Sequence, residues 1–474
     1  MILGNPYPLA PFPFLVKGEG GRGVRVPKEQ HISMTPSNIP DFFDPQQVFS
    51  LLKGKTESAE LVQSESANRP VVFKSNALKS VETNYSFGAG LRIIASGRLG
   101  FAVSTDPAKV QSLVDRALES ARFGEKAAFD LPGSCTPAAA PALIDTAVSA
   151  LTLEDKDKLG KEAIAALLAG DSGVHIDCEI GTASGRMVLD NSRGLHLEAQ
   201  TTMFDFSYSI LHVDANGLLW LYDGNMSHRL DIRMPAQVAR TLLLLKKAKQ
   251  VVATGAPETV ICEPSVVGTL ASSFLAGLNG KTVLKGASPL GGRLGHKIID
   301  DRISLAEEPF LDYRPGSAGF DGEGLAKQRN VLIDKGVATM YFYDLQTAGL
   351  VKAQPTANGS RGATSLPSPG CGNLVIPPGT KNTEQIIRET KNGLWVHSVL
   401  GSGQSNMLAG DFSLNTHLAY RIENGEITGR VKDTMMSGNV YDVFNKIGEI
   451  SSTVDDSGSS IFPAISFQGI TVNG

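Results

Sequence analysis

Eight histidines are the first places to look for metal chemistry in this 474-residue chain, and no two of them lie close in sequence. The nearest pairs are His196 with His212 and His212 with His228. A catalytic zinc needs three or four His, Cys or carboxylate side chains converging on one point, and two of them usually come from one helical turn or a short loop. No such local motif is present. Ligands gathered from separate strands would have to be residues such as His397, Asp411 and His417, although isolated histidines in strand patterns more commonly serve as hydrogen-bonded strand residues. Nucleophilic hydrolysis has no better footing, because no Gly-x-Ser-x-Gly elbow occurs and the serines of 402–405 and 457–460 have no neighbouring base. Gly280-Lys281-Thr282 imitates the end of a phosphate-binding loop, but Leu275 stands where the first glycine belongs and a helix precedes it rather than a strand. The adjacent carboxylates Asp300-Asp301 and Glu307-Glu308 read as surface charge.

Binding chemistry finds more support, in two glycine-rich segments. In Thr356-Ala357-Asn358-Gly359-Ser360-Arg361-Gly362, an arginine beside small residues can present its two-pronged guanidinium to a carboxylate, with Asn358 as a second polar contact; the same segment also reads as an exposed loop. Around Gly403, the run Gly401-Ser402-Gly403-Gln404-Ser405-Asn406 can offer backbone N–H groups to an anion or a peptide carboxylate, or simply turn the chain between strands.

The secondary structure that would hold these residues is read from the hydrophobic pattern. Asp44-Pro45 opens a helix, and Thr105-Asp106-Pro107 opens another whose apolar residues Val110, Leu113, Val114, Ala117, Leu118 and Ala121 keep helical spacing. Strands are expected at 59–63, 71–74 and through Gly88–Ile94, with a tight turn at Ser75-Asn76. Pro132–Pro141 is linker-like, 154–169 is helical, and 175–180, 186–189, 195–201 and 204–213 alternate as strands, with Asp190–Gly194 as a turn. A further helix is expected over 235–249. Beyond Gly255 the pattern is mostly hairpins, among them Asn424-Gly425, which favours a type I′ turn, with one helix over 384–391.

The expected fold is therefore α+β: an N-terminal domain of antiparallel sheets with helices over 41–250, in subdomains of about 41–130 and 142–250, and a mainly antiparallel β domain over 255–474, barrel-like or a sandwich. Residues 1–40 read as a disordered arm, and Met34 as the native start in place of Met1–Ser33.

With 44 Lys+Arg against 48 Asp+Glu, a net charge of -4 argues against a nucleic-acid partner, and no apolar run suits a bilayer. Four scattered cysteines without a CxxC pair suit reduced thiols and a cytoplasmic location.

Several segments in order resemble the TldD/PmbA metallopeptidase family, and its PmbA (TldE) branch more than its TldD branch. They are Phe87-Gly88-Ala89-Gly90-Leu91-Arg92 with Gly97–Ala102, Phe320-Asp321-Gly322-Glu323-Gly324 running into Asn330–Gly336, Gly410-Asp411-Phe412-Ser413, and Tyr420–Ile427 with Ser437-Gly438-Asn439 beyond it. The resemblance implies a two-domain α+β subunit and dimers enclosing a proteolytic chamber. It also implies that TldD-type members cleave unfolded peptides with a zinc held by His-Glu-x-x-x-His on a helix and a cysteine near the C-terminus. By placement, that motif falls here on Ser272, Ser273 and Gly277, none of which is a zinc ligand, and the stretch Thr453–Gly458 has no cysteine. The resemblance therefore points to a non-catalytic TldE-like subunit that carries no cofactor itself and pairs with a zinc-bearing TldD-like partner, or with a second copy of itself. Arg361, Asn358, Gly403, Asp411 and Ser413 are its candidates for peptide contact. Two alternatives stand beside it: a self-sufficient peptidase with a non-standard metal site, and a homodimeric peptide-binding protein. The family's older label, modulator of DNA gyrase, finds no support in the balanced charge.

Overall fold

The computed structural model describes residues 42–170, 172–214, 217–233, 250–251, 257–401 and 405–473. The expected arm over 1–40, the helix over 235–249 and Gly403 lie outside the described residues.

Helix α1 (Pro45–Leu52) starts as the sequence reads, with Asp44 accepting a hydrogen bond from the Gln46 amide and proline in the first turn. It precedes β1 (Ser58–Asn68), β2 (Val71–Lys74), β3 (Ala77–Val81), β4 (Asn84–Ala95) and β5 (Arg98–Ser104). Ser75 and Asn76 both take positive φ, 47° and 71°, which is the geometry that joins β2 to β3. Helices α2 (Val110–Ala121), α3 (Thr146–Ala150) and α4 (Leu153–Gly170) come next, then β6 (His175–Asn191), β7 (His196–Asp214) and β8 (Gly217–Ser227). The strand pairs expected at 175–180 and 186–189, and at 195–201 and 204–213, are each one long strand, because the sheet partners of β6 run past the polar break: β1 pairs its second half, β2 its first, and β7 its whole length.

β1 lies in the middle of this sheet, antiparallel to both β4 and β6. Its register sets Glu60 directly across from Arg92 of β4. One face buries Leu61, Leu91 and Ile93 under α1 and α2. Further along, Phe73, Ile176, Ile180, Phe204 and Phe206 are covered by α3 and α4, and the same cluster takes in Leu418 and Tyr420 from the second half of the chain. The two halves thus share a core.

The second half is a larger sheet whose path runs from Val337–Ala338 at one edge to Gln250–Val251 at the other. It stays open among the described residues, so the barrel-like alternative is replaced by an open, mostly antiparallel sheet. Thr259–Cys262 pairs in parallel with Asn392–Leu400 and antiparallel with Ser460–Phe467. Asn424 and Gly425 take φ of 50° and 83°, as the Asn-Gly turn requires, and the helix Thr383–Glu389 carries a complete capping box between Asn382 and Gln385. One helix packs on this sheet as its main cover: α5 (Pro264–Leu278), whose Val266, Leu270 and Phe274 share a core with Phe462, Ile465 and Phe467.

Candidate functional site

α5 opens on Pro264 and presents two unlike faces. Ser265, Thr269 and Ser272 look outward, and the last two spend their hydroxyls on the helix itself, Thr269 Oγ1 donating to the Ser265 carbonyl at 3.0 Å and Ser272 Oγ to the Thr269 carbonyl at 2.6 Å. Ser273 points inward, is fully buried, and its Oγ has no hydrogen-bond partner among the described residues. Gly277 is buried too. A Cβ there would come within 2.9 Å of Tyr441 Oη and 3.0 Å of Leu290, and Tyr441 Oη also donates to the Ser273 carbonyl at 3.2 Å. Phe274 meets Tyr441 and Phe444 edge-on, with centroids 5.5 and 5.0 Å apart. The space beside Ser273 and Gly277 is therefore occupied by aromatic and aliphatic side chains.

These residues do not fit a zinc ion. Ser272 is committed to a carbonyl, Ser273 lies in an apolar core, and a side chain at position 277 would displace Tyr441. Among the described residues no three His, Cys, Asp or Glu side chains come together as a metal-binding group. His397, Asp411 and His417 in particular do not converge. His417 Nε2 contacts the Trp220 carbonyl, Asp411 accepts from Asn439 Nδ2 at 2.9 Å, and burial holds the His397 imidazolium pKa down. The imitation phosphate loop fails on geometry as well. Asn279 caps a short helix at Lys281, and a Cβ on Gly280 would meet the Tyr343 ring at 2.1 Å, so its backbone is packed rather than open.

Asp411 and Ser413 share an exposed face of the strand Asp411–Glu423, paired with Asn439 and Ser437 of Met435–Asn439. The neighbouring strand Asn392–Leu400 stops opposite Asn415. Beyond that point the Ser405 hydroxyl takes its place, accepting from the Ser413 amide at 3.1 Å and donating to the Ser413 carbonyl at 3.4 Å. Among the described residues this stretch of sheet edge is satisfied by the Ser405 hydroxyl at Ser413 and by the Asn406 carbonyl, which accepts from the Asp411 amide at 3.2 Å.

Arg361 and Asn358 are not on that surface. Arg361 does grip a carboxylate, but that of Glu60 within the same chain, and both side chains are wholly buried. Arg92 binds Glu60 at 3.1 Å with one Nη and Glu323 at 2.7 Å with the other. The carboxylates hold the Arg92 pKa up against desolvation, and its guanidinium lies 4.8 Å above the Phe129 ring. Asn358 Nδ2 donates to Glu307 Oε2 at 2.7 Å and to the Gly370 carbonyl at 2.9 Å. Glu307 also accepts from Lys327 at 2.7 Å, the Gly372 amide at 2.8 Å and Asn330 at 3.1 Å. The reading of Glu307-Glu308 as surface charge is thus half corrected: Glu307, the last residue of the buried strand Leu305–Glu307, is enclosed, whereas Glu308 just beyond the strand meets Arg329 at 2.6 Å.

Glu60, Arg92, Glu323 and Lys327 were missed as a group by sequence reasoning. The signal was there in Ala59-Glu60-Leu61-Val62 and Leu91-Arg92-Ile93-Ile94, where a single charge interrupts an apolar strand and must find a partner.

Residues 255–474 match the model of the PmbA/TldA metallopeptidase C-terminal domain, and residues 59–121 match the model of PmbA/TldA metallopeptidase domain 1. The chain belongs to the PmbA/TldD family. It is 24% identical over 442 residues to a protein named metalloprotease PmbA from Escherichia coli, spanning 88% of this chain and 94% of that one. A metalloprotease TldD homolog from Haemophilus influenzae is 31% identical over 176 residues, covering 37% of this chain and 36% of that protein. The crystal structure of TldE from Thermococcus kodakarensis superposes with a TM-score of 0.82 at 22% identity, covering 90% of this chain and 99% of that one, and so shares the fold.

Proposed function

We propose that this PmbA/TldD-family chain is the non-catalytic, TldE-like member of a zinc-dependent peptidase. In this reading it shapes the peptide-binding surface while a TldD-like partner supplies the metal and cleaves unfolded peptides. The observation that carries the reading is α5, where Ser272, Ser273 and Gly277 offer no ligand and Tyr441 and Leu290 fill the space a ligand would need. The match to a PmbA protein along nearly its whole length, against a partial match to a TldD homolog, supports the same branch. The edge at Asp411 and Ser413, held by the Asn406 carbonyl and the Ser405 hydroxyl, supports peptide contact by strand addition there, the exchange of those two groups for a peptide backbone being nearly neutral in hydrogen bonds. Four free cysteines support a cytoplasmic setting. No helix among the described residues is long and apolar enough to cross a membrane.

Elemental analysis and peptide cleavage test the reading together. The purified chain should hold no stoichiometric zinc and leave an unfolded peptide intact, and cleavage should appear on mixing with a TldD-type protein from the same host. One zinc per chain with cleavage by the chain alone would overturn it. A chain that binds peptides but gains no activity with any such partner would favour the homodimeric binding protein.

A further inference from the structure

Beyond the short helix Gly280–Leu284, residues 285–297 run outside any helix or strand, and 291–297 are all exposed. The loop is nevertheless fixed. Its one buried residue, Leu290, lends its carbonyl to Tyr341 Oη at 2.6 Å, and the same hydroxyl accepts from the Arg293 amide at 3.3 Å. Ser288 Oγ donates to the Gly277 carbonyl at the end of α5, and the Gly295 amide donates to the Ala338 carbonyl at 2.8 Å.

In a chain of net charge -4, residues 281–297 hold Lys281, Lys285, Arg293, His296 and Lys297 and no Asp or Glu. Ordinary protein surfaces intersperse the two signs. Lys297 lies 3.7 Å from Asp301, and Asp300 is taken by Arg302 at 2.9 Å. Among the described residues Lys281, Lys285 and Arg293 are exposed and meet no carboxylate, and Leu284 and Leu294 are exposed between them. The loop is a cationic surface with apolar points.

Its position ties it to the sheet edge at Asp411 and Ser413. A Cβ on Gly277 would crowd both Leu290 of the loop and Tyr441 Oη, and a Cβ on Gly410, the residue before Asp411, would lie 2.6 Å from the Tyr441 ring. One tyrosine therefore separates edge from loop. A peptide that follows the direction of Asn392–Leu400, antiparallel to Asp411–Glu423, points its C-terminal end past Gly410.

We propose that the loop is a subsite for acidic residues: an unfolded peptide laid on the edge at Asp411 and Ser413 places Asp or Glu side chains of its C-terminal part against Lys281, Lys285 and Arg293. The proposal rests on the peptide-contact reading of that edge and adds the class of peptide. Arg293 can take a carboxylate with two N–H groups, and the lysines add attraction at longer range. Asp411 repels an acid placed opposite itself, so the preference belongs to the loop end of the peptide.

Fluorescence anisotropy with labelled unfolded peptides tests this, using a neutral peptide and versions carrying several Glu or several Lys in the C-terminal part. At low salt the wild type should bind the Glu peptide about tenfold more tightly than the Lys peptide, and salt of about 0.5 M should erase the difference. Lys281→Gln with Lys285→Gln and Arg293→Gln should remove the preference and leave the neutral peptide's affinity unchanged. Removing exposed cations of the first half, Lys53→Gln with Lys55→Gln, should keep it. No preference in the wild type, its survival in the triple variant, or equal loss in the control variant would overturn the proposal while the peptide-contact reading stands on the neutral peptide. If the neutral peptide does not bind either, that reading falls and the subsite with it. Tighter binding of a single-stranded oligonucleotide than of the Glu peptide, lost in the triple variant, would make the loop a general polyanion site and likewise overturn the proposal.

Discussion

Two glycines of α5, nine positions apart, illustrate how much a residue's meaning depends on its neighbours. A Cβ at Gly268 would make ordinary contact with Phe462 at 3.5 Å, whereas one at Gly277 would crowd Tyr441 and Leu290. Gly268→Ala should therefore stabilise the protein by about 0.5–1 kcal/mol through helix propensity, while Gly277→Ala should lose about 1 kcal/mol or more to overpacking. Urea denaturation of the pair gives the contrast, and equal effects would mean that Tyr441 yields more freely than its bond to Ser273 suggests. Lys156 makes a second test at this scale. It is fully buried on α4, with Nζ 2.6 Å from the Arg69 carbonyl and 2.8 Å from Thr182 Oγ1, and no carboxylate is among these partners. Burial lowers its pKa from 10.5 to about 8, so the folded state binds fewer protons than the unfolded one between those values. Stability of the wild type relative to Lys156→Met should rise as pH goes from about 8 to about 10, a trend visible in melting temperatures measured at each pH. Lys156 did not announce itself in the sequence, and Gly277 stood out only through the family resemblance, not through its packing. A helical glycine and a helical lysine are ordinary features until the fold presses something against them.

At the scale of elements, the legible features were those with a local cause. Asp44-Pro45 and Asn382 cap helices because a short polar side chain satisfies amides two or three residues on, whereas Asp106-Pro107 opens only a three-residue 3-10 turn, after which α2 begins at Val110 with no side-chain cap of its own. The Asn424-Gly425 turn is of the same kind, but the structure adds a second constraint, since a Cβ on Gly425 would lie 2.3 Å from the Arg388 carbonyl. Gly425→Ala should thus cost about 2 kcal/mol or more, from a positive φ and a backbone clash together, where Asn424→Ala should cost about 1 kcal/mol. Denaturant titration separates them. What was not legible was strand length: β6 and β7 read as four short strands, because their polar middles interrupt the alternation that marks a strand and only the pairing of β6 with β1, β2 and β7 carries them through. The peptide-contact candidates divided for the same reason. Asp411 and Ser413 share one exposed face, as strand alternation requires, whereas Arg361 and Asn358 looked like loop residues and proved to be buried by carboxylates more than fifty positions away or on another sheet.

For the whole molecule, the decisive contacts are the ones that bind the halves to each other. Arg361 to Glu60 and Arg92 to Glu323 cross the junction in opposite directions, and a buried pair broken on one side leaves the other charge stranded. Arg361→Met should destabilise the protein by about 3–5 kcal/mol, and calorimetry should show the single transition separating into two as the halves lose their coupling. One transition with a small shift would mean that the shared core around Tyr420 suffices. The sequence could not show this architecture, since it is a property of pairs such as Glu60 with Arg361 that no local pattern relates. The arrangement of the second sheet bears on how the protein is made. Val260 lies beside Phe467, and Thr259–Cys262 with Ser460–Phe467 forms the middle of the sheet. On the ribosome, about two hundred residues must emerge after the first of these strands before it meets the second, roughly 10–40 s at ordinary elongation rates. Asn392–Leu400 can pair with Thr259–Cys262 earlier, but through the rest of that interval the face of α5 that meets Phe462, Ile465 and Phe467 lacks its native cover, so the nascent second half is a natural client for holding chaperones and the first sheet can consolidate well ahead of it.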